Sequence, residues 1–298
     1  MVSRRAILQL AGLGLVGRRA FGDAPTMRTR AIPRTGELLP AIGLGTWQTF
    51  DVGRAKSERT PLAEVLTELL AAGGRVIDSS PMYGRAEEVT GDELAAIAAK
   101  QKPFLATKVW TSGKREGQAQ IARSMQRMRT KVLDLLQVHN LVDVHTHLPV
   151  LRDLKAAGTI RYLGVTHYQH GAFDQIEKLM KTEQLDFIQI PYSIVDRAVE
   201  KRILPTAQDT GTAVLVMTPF ESGDLFRQVK GKALPAWASE LDCASWAQFF
   251  LKFLLGHPAV NCPIPATSKP AHVADNVLAG VGRLPDAKQR EKMAALLG

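Results

Sequence analysis

Cysteine is nearly absent from this chain, with two residues among 298. That excludes a scaffold held by disulfides, which needs a dense cysteine framework. The chain also lacks a segregated basic surface. Its net charge is +9, but Arg4, Arg5, Arg18 and Arg19 supply four of those charges and no acid lies within residues 1–22, which leaves five for the rest. The remaining basic residues are interspersed with acids, so a nucleic-acid partner has no support. The apolar stretch at residues 6–17 is too short for stable membrane insertion, since a spanning helix needs about 20 residues. No linker interrupts the sequence after the N-terminal region.

A glycine-rich phosphate loop after an early strand is also missing, which argues against an open, doubly wound sheet. Gly12, Gly14 and Gly17 spell G-x-G-x-x-G literally, but no strand precedes them and no βαβ unit surrounds them. They belong instead to an export-like segment. Ser3-Arg4-Arg5 precedes the apolar run, and small residues follow at Ala20, Gly22 and Ala24. That order reads as a twin-arginine (Tat) signal peptide over residues 1–24, cleaved after Gly22 or Ala24. The expected location is periplasmic or exported through the Tat machinery, or cytoplasmic where the signal is unused.

What remains is rich enough in apolar residues, 45% of the whole chain, to build one large core. A short hairpin is expected first, with strands at 31–33 and 37–39 about a turn at Thr35-Gly36. Apolar runs then recur at 41–44, 75–77, 104–107, 133–138, 160–165, 187–190, 213–217 and 260–264. Amphipathic stretches separate them at 62–72, 86–99, 117–128, 148–157, 173–181, 199–208 and 245–255, and two more follow at 272–281 and 286–297. Apolar runs without strict alternation suit strands buried on both faces. Eight such strands with intervening helices predict an α/β fold, a single-domain (β/α)8 TIM barrel over residues 29–298.

In such a barrel the chemistry belongs to the C-terminal edge of the sheet. Asp78, Lys108 and His139 each close an apolar run, and Tyr83 lies in the turn SSPMYG just after Asp78. A partly buried lysine needs a partner, and Asp78 is an available carboxylate. A phenol, with a pKa of about 10, is a weak donor at neutral pH. An adjacent ammonium should lower that value. Together these residues predict Tyr83 as general acid, Lys108 and Asp78 as its tuners, and His139 as the group that orients a substrate oxygen or shares its proton.

The segments GLGTWQ (43–48), VIDSSPMYG (76–84), ATKVW (106–110), LLQVHN (135–140), IRYLGVTHY (160–168), FIQIPYS (187–193) and IPATSKPAHVADN (264–276) together resemble the aldo-keto reductase family. The resemblance runs from about residue 29 to the C-terminus. It implies an oxidoreductase that reduces an aldehyde or ketone to an alcohol by hydride transfer from NADPH, with NADH possible, and with Tyr83 as proton donor. It assigns cofactor contacts to Thr46, Trp47, Thr166, His167, Gln189 and Met217 around the nicotinamide. Thr166-His167 stands where the family usually has Ser-Asn, and Met217 stands where an aromatic ring usually stacks. Thr267, Ser268 and Lys269 are expected to line a phosphate site at a helix N-terminus, with Asn276 toward the adenine. His272 replaces an arginine that usually grips a 2′-phosphate. Trp47 and Trp110 match walls of the substrate pocket, and Asn140 replaces a bulkier tryptophan.

Two other functions compete. One is a cofactor-binding sensor or accessory barrel with little turnover. The other is a metal-dependent hydrolase built on His139, Asp143, His145 and His147. Against the metal reading, His145 and His147 are expected in a loop before the fourth helix, with Thr146 as its cap. Cys243 and Cys262 are a candidate disulfide pair after export.

Overall fold

The computed structural model describes residues 26–97 and 101–297, so the signal-like segment and its glycine motif lie outside the described residues. Strands β1 (Thr29–Ala31) and β2 (Leu38–Pro40) form the expected hairpin, shifted by one or two residues. Its turn closes through Gly36 N–H to Ile32 O at 2.9 Å, with Gly36 at φ 74°.

Eight parallel strands follow in sequence order. They are β3 (Leu44–Gly45), β4 (Val76–Asp78), β5 (Phe104–Val109), β6 (Leu133–His139), β7 (Ile160–Thr166), β8 (Phe187–Pro191), β9 (Ala213–Met217) and β10 (Cys262–Pro263). The first and last meet through a parallel bridge between Gly45 and Ala266 and through Gly43 N–H to Pro263 O at 3.0 Å. The sheet thus closes into a single-domain (β/α)8 barrel whose seam lies between β3 and β10.

Around it run α1 (Lys56–Ala71), α2 (Ala86–Ala96), α3 (Lys114–Arg127), α4 (Val144–Ala156), α5 (Phe173–Thr182) and α6 (Ile203–Thr210). After β9 come α7 (Asp224–Gln228) and α8 (Trp246–Leu255), then α9 (Pro270–Leu278) and α10 (Ala287–Ala294) after β10. Among the described residues, no helix is long and apolar enough to cross a membrane.

Strand side chains alternate between the two faces of the sheet, and here both faces are buried. Ile77, Leu105, Val109, Leu136, Val138, Val165, Ile188 and Val214 join one apolar cluster with residues of the helices. Val76, Phe104, Ala106, Leu135, Tyr162, Phe187, Leu215 and Cys262 form a second cluster inside the barrel, where Ile32 and Leu39 of the hairpin join them. Each of the larger aliphatic side chains, fully buried, favours the folded state by about 1.5–3 kcal/mol relative to exposure. Two residues further along the same interior columns, Val76 gives way to Asp78, Ala106 to Lys108 and Leu135 to Gln137, then His139. The barrel interior is therefore apolar at its N-terminal end and polar at its C-terminal end.

Three helix starts depart from expectation by four or more residues; α6 begins at Ile203 rather than 199 because a 3-10 turn, Ala198–Lys201, precedes it. Helices α1 and α4 begin six and four residues before the positions expected, each just ahead of a proline, Pro61 and Pro149. Both prolines occupy the sixth helical position, so each removes one backbone hydrogen bond near an end where donors are unpaired anyway. His145 and His147 consequently lie in the first turns of α4 rather than in a loop, and the N-cap residue is Asp143, not Thr146. Cys243 and Cys262 are both free and buried, in separate apolar clusters, so the candidate disulfide is absent. Burial pushes the Cys243 thiol up to about 11, which disfavours the reactive thiolate.

Candidate active site

The polar end of the interior columns collects the predicted tetrad. Asp78 is the last residue of β4, Lys108 the penultimate residue of β5, and His139 the last residue of β6. All three are buried. The Lys108 ammonium donates to Asp78 Oδ2 and to the Ser79 carbonyl, both at 2.7 Å. Its Nζ lies 5.0 Å from the centroid of the Tyr83 ring. The His139 imidazole meets that ring edge-on, 5.8 Å between centroids, and Trp110 stands 6.5 Å from the imidazole on its other contact.

The turn carrying Tyr83 is held from two directions. Tyr83 N–H donates to Ser80 O at 3.0 Å, and Arg85 N–H donates to Asp51 Oδ1 at 3.0 Å. Gly84 adopts φ 58°, and a Cβ there would collide with the Asp51 carboxylate. Glycine alone supplies both the left-handed backbone and the space.

Burial and the charge of Lys108 and Asp78 compete to set the protonation states. It pushes the Asp78 carboxyl up, against the opposing pull of Lys108 and of the Gln189 amide. Burial would depress the Lys108 ammonium, but Asp78 and Tyr83 outweigh it and hold the lysine above its ordinary value. The expectation of a lowered Tyr83 phenol is reversed: burial raises it, and Lys108 only opposes that rise. Tyr83 is therefore protonated at neutral pH. His139 is pushed down to about 2 by burial, then by Lys108 and His167, so its imidazole is neutral.

The residues expected around a nicotinamide share this rim. Thr46, just past β3, donates to Asp78 O at 3.0 Å and to Ser79 Oγ at 2.9 Å. Thr166 pairs in register with His139 on one side and Gln189 on the other. Its buried hydroxyl has no hydrogen-bond partner among the described residues. Gln189 is buried and donates to Asp78 Oδ2 at 3.3 Å. His167 and Met217 are half-buried at the ends of β7 and β9. Trp47 and Trp110 are exposed at the rim, while Asn140 is half-buried with φ 52°.

Thr267, Ser268, Lys269, His272 and Asn276 lie apart from the tetrad, after β10 across the seam. Thr267 and Asn276 are buried, the other three exposed. Thr267 Oγ1 meets His272 Nδ1 at 3.2 Å and accepts from Lys269 N–H at 3.1 Å.

His145 and His147 do not join His139. His145 is exposed, whereas His147 is buried with Nε2 bonded to Thr111 O at 2.6 Å. The Asp143 carboxylate accepts from Gly113 N–H at 2.7 Å, tying two loops together. No group of three His, Cys, Asp or Glu side chains among the described residues is placed to hold a metal.

Ser79, Ser80 and Gln137, none of them expected from sequence, also belong to this cluster. Gln137 donates to Gln189 Oε1 at 2.8 Å and approaches Asp78 Oδ1 at 3.5 Å. A lone amide in the run LDLLQV was a visible signal, since a buried polar group requires partners.

The sequence matches the Aldo/keto reductase family over residues 41–295. It is 28% identical over 258 residues to methylglyoxal reductase YeaE of Escherichia coli, covering 84% of this chain and 89% of that protein. Aldo-keto reductase YhdN of Bacillus subtilis is 29% identical over 205 residues, covering 64% of this chain but only 61% of that relative's length. A Klebsiella pneumoniae aldo/keto reductase solved with NADP and acetate shares the fold at TM-score 0.76 and 22% identity, covering 91% of this chain and 95% of that one. A match extending over nearly the whole barrel makes this chain a member of the aldo/keto reductase family.

Proposed function

We propose that the protein reduces an aldehyde or ketone to an alcohol with NADPH, or alternatively NADH, and that Tyr83 is the general acid. One observation carries the assignment of roles: Lys108 Nζ is fixed by Asp78 and Ser79 while lying 5.0 Å from the Tyr83 ring. A protonated phenol beside a fixed cation is suited to an oxygen on which negative charge develops.

Residues on the rim fit a nicotinamide carboxamide. Thr166 offers a buried hydroxyl without a partner among the described residues, and Gln189 an amide next to it in register. Thr46, Trp47, His167 and Met217 complete that end, and Thr267, Ser268, Lys269, His272 and Asn276 would hold the phosphates and adenosine. An imidazole at His272 cannot grip a phosphate in the bidentate manner of arginine, so NADPH is favoured only modestly over NADH. When bound, the nicotinamide supplies the hydride to the carbonyl carbon.

The chain's own residues then handle the oxygen. His139, neutral, donates a hydrogen bond that orients the carbonyl. Tyr83 gives its proton to the developing alkoxide, a far stronger base than phenolate. Lys108, held by Asp78, stabilises the phenolate left behind. Trp47, Trp110 and Asn140 shape the entrance, and the small Asn140 leaves room for a broader substrate.

Residues 1–24 are assigned as a twin-arginine signal and 29–298 as the enzyme it delivers to the periplasm. Arg4-Arg5, the apolar run and the small residues after it support this. Retention in the cytoplasm when both arginines are replaced by lysine would support export; unchanged periplasmic recovery would refute it.

The reductase reading is tested by following reduced-nicotinamide absorbance across a panel of aldehydes and ketones. Tight cofactor binding without turnover on any carbonyl would replace it with the sensor. The low value at His139 also sets the pH profile. Protonation reaches one half only near pH 2, so the rate shows no acid limb from this residue between about pH 5 and pH 8. A histidine limb abolished by His139→Gln would contradict a permanently neutral imidazole.

A further inference from the structure

Ser80 follows Asp78 by two residues and is fully buried. Its Oγ lies 2.9 Å from His139 Nδ1. Its only other side-chain hydrogen bond among the described residues comes from Met82 N–H, at 3.4 Å, and that group can only donate. A hydroxyl carries one proton and two acceptor lone pairs. Met82 uses a lone pair, and a buried hydroxyl proton needs an acceptor. The acceptor at hand is Nδ1. That nitrogen must then be unprotonated, and the single ring proton of the neutral imidazole resides on Nε2.

We propose that Ser80 is a positioning residue whose hydroxyl fixes His139 as the Nε2–H tautomer, the form able to donate to a substrate carbonyl oxygen. The proposal rests on the reading of His139 as the orienting group. The opposite tautomer would leave the Ser80 proton without an acceptor and would turn a lone pair, not a donor, to the substrate. Ser80 also accepts Tyr83 N–H through its own carbonyl at 3.0 Å. One residue thus anchors the turn of the proton donor and orients the imidazole beside it.

The test combines imidazole nitrogen NMR with kinetics on the full-length protein and its Ser80→Ala and Ser80→Thr variants. The wild-type spectrum should show His139 as one Nε2–H tautomer. Ser80→Ala should remove the hydrogen-bond shift at Nδ1 and populate both tautomers. It should also lower kcat in proportion to the Nε2–H fraction lost, about twofold or more for an even mixture, with cofactor affinity unchanged. Ser80→Thr keeps a hydroxyl and should restore both readings. In a His139→Gln background, where the side-chain amide donates without a tautomeric choice, Ser80→Ala should cost nothing further.

An unchanged Nε2–H tautomer in Ser80→Ala overturns the role of Ser80 while leaving that of His139 intact. A mixed tautomer with unchanged kcat overturns His139 as the orienting group, and the proposal with it. An equal kcat loss in the His139→Gln background shows that Ser80 acts by another route and also overturns the proposal.

Discussion

Replacing Tyr83 with phenylalanine lowers kcat for carbonyl reduction by about 10²–10⁴-fold, the usual worth of a positioned general acid, while cofactor affinity stays within twofold of wild type, about 0.4 kcal/mol or less. The asymmetry follows from position. The phenol borders Lys108 and His139 at the polar end of the barrel, whereas the residues assigned to the phosphates lie across the seam. The substitution removes one oxygen and leaves the ring, its edge-on contact with His139 and the Gly84 turn in place. Stopped-flow turnover, with cofactor titration by fluorescence, measures both quantities. Retention of more than a tenth of wild-type kcat would assign the proton to another donor.

Replacing Lys108 with methionine has the largest effect on stability. It leaves Asp78, about 1% exposed, without its cation. Breaking a buried pair from one side typically costs about 3–5 kcal/mol, because the remaining charge is uncompensated. The loss should depend on pH with a definite sign. Burial already raises the Asp78 carboxyl, and without Lys108 it rises further. The native state then keeps a proton that the unfolded chain has released, so stability falls as pH increases from the unfolded aspartate value toward the folded one. Denaturant melts of Lys108→Met should therefore show a smaller deficit at acid than at neutral pH. Adding Asp78→Asn should recover most of the stability but none of the activity. Recovery of both would reduce the pair to a structural role.

These contrasts also show what the sequence could reveal. The strands were readable because burial on both faces writes them as short apolar runs; 213–217 coincides with β9 residue for residue. Asp78, Lys108 and His139 were readable because polar residues ending such runs have little structural excuse. The helix starts at Lys56 and Val144 were obscured because a proline reads as the beginning of a helix, yet one at the sixth position sacrifices little.

The sign of the Tyr83 shift is not legible in the sequence for a different reason. Proximity of Lys108 is visible in a motif, but the competing burial is a property of the closed barrel. Ser80 was hidden because its partner, 59 residues away, reaches it only through the β4–β5–β6 register. Nothing in SSPMYG marks one serine as facing an imidazole.

The seam between β3 and β10 also bears on how the molecule assembles. Strand β3 is the first of the barrel to be synthesised and β10 the last, so nearly the entire barrel sequence separates Gly45 from Ala266. Neighbouring strands elsewhere close modest loops, but this junction spans the longest one and can form only once β10 has been synthesised, at the larger loop-closure entropy. Thr46 and Trp47 flank the seam on one side, Thr267 and His272 on the other. The two halves of the expected cofactor grip therefore stand side by side only where β3 meets β10.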